Sequence, residues 1–259
     1  MIRWDVDPVA LHIGFTALRW YTLFFTAGYM IGYGIFKYLM RHERIAPRYL
    51  DILALLSVVL SLAGARLFHV VFYDWPYFRT HPEEILNISK GGLASHGGGL
   101  GLVAAALVWT HFFRPDLRTA QVVDLMTIPC AWADVLIRLG NFFNSELVGT
   151  PTTLPWGVVF TRVDGQPRHP VQLYEAVAYL GVFLTLIFLW KQSKSFSKPG
   201  KLILTAAFLL GTFIPRFALE FLKAPTGLVA FVGPLTTGQA LSIPFILAGV
   251  FLLLRKRKS

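Results

Sequence analysis

Seven apolar stretches, most of them long enough to cross a bilayer as a helix, constrain this chain more than anything else in it. They run 20–40, 52–72, 100–113, 122–139, 173–190, 202–222 and 241–254. A spanning helix takes about 20 apolar residues, and in lipid every backbone polar group must be satisfied within the segment. The fold class is therefore an all-α polytopic membrane protein of about seven transmembrane helices. The third stretch, short and glycine-rich at its start, has the least definite boundary. Composition agrees. Of 259 residues 55% are hydrophobic and 15% charged, where a soluble domain carries about a quarter charged. Cys130, the only cysteine, excludes an intramolecular disulfide and offers no metal cluster; it reads as a small buried apolar residue.

The net charge of +10 does not indicate nucleic acid, because the basic residues form short clusters between apolar runs and no continuous stripe. They read instead as topology signals. One set of loops carries Arg41, Arg44 and Arg48, then Arg114 and Arg118, then Lys191, Lys194, Lys198 and Lys201, then Arg255 to Lys258. The alternate set carries Arg3, Arg19, Arg79, Lys90, Arg162, Arg168 and Lys223, seven against thirteen. By the positive-inside rule the C-terminus is cytoplasmic and the N-terminus outside. Asp5 and Asp7 stand where a signal peptide would be basic, so the first apolar run reads as a retained span. The chain reads as one transmembrane domain, 1–259, without the internal repeat of many transporters. The loop at about 147–171 falls outside and contains Pro151, Pro155, Gly157, Gly165 and Pro167. It predicts a small extracytoplasmic cap built on a two-stranded ribbon.

Against this background a few polar residues stand out. Arg138 ends the fourth apolar stretch, in Ile137-Arg138-Leu139-Gly140-Asn141-Phe142-Phe143-Asn144-Ser145-Glu146. A central arginine costs at least about 2.5 kcal/mol in a bilayer, which makes it a functional-site hypothesis. Arg138, Asn141 and Glu146 cannot share one helix face. Gly140 and the polar pair after it predict a helix end that turns them into a common pocket. His96 sits in a glycine run, 91–99, read as a non-helical loop whose glycines admit a ligand; a lone histidine is more often structural. Arg168-His169-Pro170-Val171-Gln172-Leu173-Tyr174-Glu175 is either helix capping or an anion site at a helix N-terminus.

Arg216 and Glu220, four apart, predict an ion pair on one face, with Pro215 kinking the helix beside it. Arg66 is a third buried cation, with Asp134 its candidate partner. Tyr21, next to Trp20, is either an aromatic-belt residue or part of the site. Arginines converging near one leaflet suit an anionic amphiphile, since the guanidinium fork binds phosphate bidentately. Phospholipid headgroups are the phosphates available there.

These same residues resemble the prolipoprotein diacylglyceryl transferase family. The likeness extends from Leu18-Arg19-Trp20-Tyr21 to Gly238-Gln239-Ala240-Leu241-Ser242-Ile243-Pro244. It is most specific over Arg138 to Glu146 with Gly149, and includes the His96 glycine segment, the Arg168 to Glu175 block and the Arg216/Glu220 pair. The resemblance implies an enzyme of the bacterial inner membrane that moves sn-1,2-diacylglyceryl from phosphatidylglycerol to the lipobox cysteine of a prolipoprotein signal peptide. A thioether forms, glycerol 1-phosphate leaves, and no metal or organic cofactor is expected. His96 or His169 would accept the thiol proton, and Arg138 and Arg216 would clamp the departing phosphate. Asn141, Asn144 and Glu146 would orient the arginines and the glycerol hydroxyls, with Glu220 beside Arg216. Tyr21 would bond the headgroup, and Gly149 would permit close backbone approach. A monomer is favoured. Ile137, Asp134, Thr212 and His69 depart from the family pattern as it is expected here. They leave a noncatalytic protein that binds or transports anionic phospholipid as the alternative.

Overall fold

The computed structural model describes residues 2–14, 16–43, 45–87, 92–192, 202–224, 231–232 and 235–255. Arg44, Lys90, Gly91, Lys194, Lys198, Lys201, Lys256, Arg257 and Lys258, which enter the charge count or the glycine run, lie outside these residues. The chain divides into two compact units, Met1–Phe36 with Asp124–Ser259, and Lys37–Val123.

The second unit contains α2 (Pro47–Phe72), the short α3 (Trp75–Phe78) and α4 (Ser95–Phe112). Proline at its first position opens α2, where the missing N–H costs nothing. Helices α2 and α4 approach closely because glycines leave room between them. A Cβ on Gly101 would lie 2.1 Å from the Leu60 carbonyl oxygen, and one on Gly97 2.2 Å from that of Gly64. This corrects the loop expected for the glycine run. From Ser95 onward the run is helical, and Gly97 and Gly101 admit a neighbouring helix rather than a ligand.

Arg66, only 7% exposed, is bound by backbone carbonyls of its own unit. Its Nε donates to Ile85 (2.7 Å), its Nη1 to Gly92 (3.1 Å), and its Nη2 to Glu84 (2.7 Å) and Asn87 (2.8 Å). The partner expected for it, Asp134, belongs to the first unit.

The first unit is built on α1 (Trp20–Leu39), α5 (Thr119–Phe143), α6 (Val171–Gln192), α7 (Ile203–Leu219, continued by a 3-10 turn Glu220–Leu222) and α8 (Thr237–Leu254). A capping box starts α8. Thr236 Oγ1 accepts from the Gln239 N–H at 3.2 Å, and Gln239 Oε1 accepts from the Thr236 N–H at 3.1 Å. Among the described residues three small sheets accompany these helices. β1 (Ile2–Trp4) runs parallel to β4 (Val158–Phe160), which pairs antiparallel with β5 (Pro167–Arg168). β2 (Val9–Ile13) and β3 (Thr16–Arg19) form a hairpin, and β6 (Phe231–Val232) pairs with β7 (Leu235–Thr236). The ribbon anticipated within 147–171 is β4 with β5, and a third strand joins it from the N-terminus. Phe142, Val148, Val158 and Phe160 form the core beneath it, with Trp4 packed on Phe142 at a ring separation of 4.3 Å.

Among the described residues, four helices are long and apolar enough to cross a membrane: α2, α6, α7 with its 3-10 turn, and α8. Large apolar side chains project outward along them, among them Leu55, Leu67 and Phe72 on α2, Leu184 and Phe188 on α6, and Leu247 and Phe251 on α8. So much exposed apolar surface on long helices belongs in lipid.

Candidate functional site

The site is set by how α5 ends. The helix runs to Phe143, past Gly140, so the early termination expected at Gly140 is corrected. Gly140 instead receives Tyr21 of α1, whose Cδ2 would stand 3.1 Å from a Cβ there. The reversal comes later, at Ser145 (φ 57°) and Leu147 (φ 54°), both in the left-handed region that a side chain disfavours. Strain of this kind is kept where the surroundings impose it, commonly at functional sites.

That turn brings Glu146 back onto the helix it follows. Its N–H donates to the Asn141 carbonyl at 2.9 Å, and its carboxylate accepts from Asn141 Nδ2 at 3.2 Å and Asn144 Nδ2 at 3.1 Å. Gln172 of α6, fully buried, donates through Nε2 to the Glu146 carbonyl. Tyr21 lies within electrostatic range of Glu146 and Arg138.

Arg138 is 8% exposed. Its Nη1 donates to Asn141 Oδ1 at 3.4 Å, its Nε lies 3.1 Å from Glu175 Oε2, and its guanidinium carbon sits 5.7 Å from the ring centre of Tyr179. Glu175 is completely buried, and its other oxygen accepts from Lys223 Nζ at 3.1 Å. Lys223 also donates to Glu220 Oε2 at 2.9 Å, and Thr236 Oγ1 donates to Glu220 Oε1 at 3.3 Å. The pair expected between Arg216 and Glu220 is therefore replaced by Lys223 with Glu220. Among the described residues Arg216 Nε is buried without a hydrogen-bond partner, and its charge acts on Asp134 and Glu175. The spacing itself is intact, since the Glu220 N–H still donates to the Arg216 carbonyl; both oxygens of the Glu220 carboxylate are taken by Lys223 and Thr236 instead.

Gly149 meets the segment before α6. Its N–H donates to the His169 carbonyl at 2.9 Å, and a Cβ there would lie 2.5 Å from that oxygen, so the close approach it permits is to the chain's own backbone. His169 Nδ1 is 3.3 Å from the Tyr174 hydroxyl, which accepts from Trp156 Nε1 at 2.8 Å. Arg168 donates to the Gly149 carbonyl at 3.0 Å and is gripped by Asp164. The Arg168 hydrogen bond holds the Asp164 carboxyl below the usual carboxylate range, and the same bond raises Arg168.

Tyr21, Arg138, Asn141, Asn144, Glu146, Gly149, His169, Arg216 and Glu220 all lie in the first unit. His96 lies in the second, on the first turn of α4, buried with its ring 6.1 Å from that of Phe68. Gln172, Tyr179 and Lys223 were not assigned from sequence as site residues. Their signal was spacing: Lys223 follows Glu220 by three and Tyr179 follows Glu175 by four, each one turn from a carboxylate that burial obliges to find a partner.

A family model described as prolipoprotein diacylglyceryl transferase matches residues 8–255. A phosphatidylglycerol–prolipoprotein diacylglyceryl transferase of Tolumonas auensis is 40% identical over 259 residues, 100% of this chain and 98% of the relative. One of the same description from Chloroherpeton thalassium is 38% identical, covering 99% of this chain and 95% of the relative. Another, from Protochlamydia amoebophila, is 48% identical over 205 residues, 76% of this chain and 54% of the relative.

Proposed function

The chain belongs to the prolipoprotein diacylglyceryl transferase family, and from that membership we propose its reaction and the residues that carry it. It is a membrane transferase of lipoprotein biosynthesis, moving diacylglyceryl from phosphatidylglycerol to a prolipoprotein. The acceptor is the lipobox cysteine thiol. Its sulfur attacks the glyceryl carbon bearing the phosphate, a thioether forms, and the C–O bonding pair leaves with glycerol 1-phosphate. The noncatalytic alternative is not favoured, because the relatives are named for the transfer.

Negative charge grows on the departing phosphate, and preorganised donors in a dry site lower such a barrier by several kcal/mol. The observation that carries the assignment is Arg138, a buried guanidinium ion-paired with Glu175 and donating through Nη1 to Asn141 at the end of α5. Arg138 and Arg216 are the phosphate clamp. Asn141, Asn144 and Glu146 orient the arginine and the glycerol hydroxyls, Glu220 anchors the α7 end, Gly149 shapes the wall, and Tyr21 bonds the headgroup. The thiol reacts as thiolate. His96 and His169 are the two candidate acceptors of its proton, and the base is the one whose Gln variant flattens the rate–pH profile. Seven helices cross the bacterial inner membrane as one transmembrane domain, N-terminus outside and C-terminus cytoplasmic, with 147–171 as the outer cap on a monomer. The alternation of basic loops supports that topology.

The test is transfer of labelled diacylglyceryl from phosphatidylglycerol to a lipobox peptide by the purified protein, with a Cys→Ser peptide as control. Thiol-dependent transfer with release of glycerol phosphate is expected. Lipid binding without transfer in a folded sample would contradict the assignment.

A further inference from the structure

We infer that Lys223 is a positioning residue for the transfer: by occupying one oxygen of Glu175 it limits the hold of that carboxylate on Arg138 and leaves the guanidinium to face a phosphate. The inference rests on the role assigned to Arg138 above. Side-on, an arginine binds a carboxylate through Nε and Nη2 together, and this bidentate fork is the strong arrangement. Here the two carboxylate oxygens are divided between two cations. Nε meets Glu175 Oε2 at 3.1 Å, while Oε1 is turned to Lys223 Nζ at 3.1 Å. A completely buried carboxylate that lost one cation would take the nearest remaining donor, because an uncompensated buried charge costs several kcal/mol. The cations left to it are Arg138, already at Oε2, and Arg216, whose charge reaches it, so Glu175 would draw the guanidiniums of the clamp onto itself and away from the departing phosphate.

Lys223 is itself held in place. Glu220 Oε2 binds the same Nζ at 2.9 Å, and the backbone is pinned by Thr150 N–H to Leu222 O at 2.8 Å and Ala224 N–H to Val148 O at 3.1 Å. Gly238 leaves room for the Glu220 carboxylate, since a Cβ there would fall 2.6 Å from Oε1. The Lys223 side chain is 12% exposed and spends its contacts on two carboxylates, so its effect is exerted through Glu175.

The experiment compares kcat/KM for phosphatidylglycerol in the purified full chain, with folding checked by thermal melting. Lys223→Met is expected to lose about 100-fold, the scale of a small misplacement of a catalytic group, and Lys223→Arg is expected to stay near wild type. A merely structural lysine would not produce the decisive readout. Adding Glu175→Gln to Lys223→Met removes the competing carboxylate and restores at least about tenfold, a coupling that double-mutant cycles resolve. Wild-type activity in Lys223→Met overturns the inference, as does a folded double variant no better than Lys223→Met. If Lys223→Met does not fold, the charge-balanced double variant carries the test: transfer within about tenfold of wild type supports the inference and a larger loss overturns it. Activity retained by Arg138→Ala would instead bring down the reading of the clamp itself.

Discussion

Arg66 and Arg138 are almost equally buried, at 7% and 8% exposure, yet their surroundings differ in kind. Arg66 spends four donors on backbone carbonyls and stacks on Phe78 at 4.8 Å. Carbonyls cannot move without unfolding the segment they belong to, so Arg66 is a fastener for Glu84, Ile85, Asn87 and Gly92. Arg138 is held by side chains, those of Asn141, Glu175 and Tyr179. Burial alone, which made both residues candidates from sequence, does not separate a structural arginine from a working one. The identity of the acceptors does.

The two arginines should fail differently. Arg138→Ala is expected to lower transfer by roughly a thousandfold or more, in the range for removing a key transition-state donor, while the protein still inserts and folds, at a lowered melting temperature because Glu175 keeps only Lys223. Turnover per folded molecule checks this. Arg66→Ala should leave turnover per folded molecule nearly intact and cost roughly 3–5 kcal/mol of stability, because four partly buried carbonyls lose their donor at once; thermal denaturation in detergent reads it. Gly101→Ala, also in the unit of Arg66, should destabilise by roughly 1–3 kcal/mol by forcing α4 off the Leu60 carbonyl. The smallest effect belongs to Asp164, which is linked to the Arg138 unit through Arg168. Its carboxyl is lowered by the Arg168 hydrogen bond, so its contribution is present above the unfolded-state value near 4 and fades as pH falls below it. The melting difference between wild type and Asp164→Asn should therefore shrink on acidification below about pH 4.

Helices lie at each of the apolar stretches because hydropathy and length are local properties that lipid makes decisive. The polar network was only half readable. Arg138, Asn141 and Glu146 were recognisable as a group, but the turn that joins them comes at Ser145 and Leu147, residues with no intrinsic preference for the left-handed conformation. The Arg216/Glu220 pairing failed because spacing along one helix does not reveal competing partners, and Lys223 and Thr236 take the Glu220 carboxylate. The glycine run misled for a related reason. Glycine marks a close approach without saying what approaches, and here it is α2. The strand β1 could not be read at all, since its partner β4 lies more than 150 residues away.

The most direct measurement is a crossed one: turnover and melting temperature for Arg138→Lys and Arg66→Lys in the same lipid-transfer assay. Lysine keeps the charge and removes the fork. Arg138→Lys should lose turnover by about 100-fold at an unchanged melting temperature, and Arg66→Lys should lose melting temperature while folded molecules turn over normally. Normal turnover in Arg138→Lys, or matching losses in the two variants, would contradict the division of labour between the two arginines.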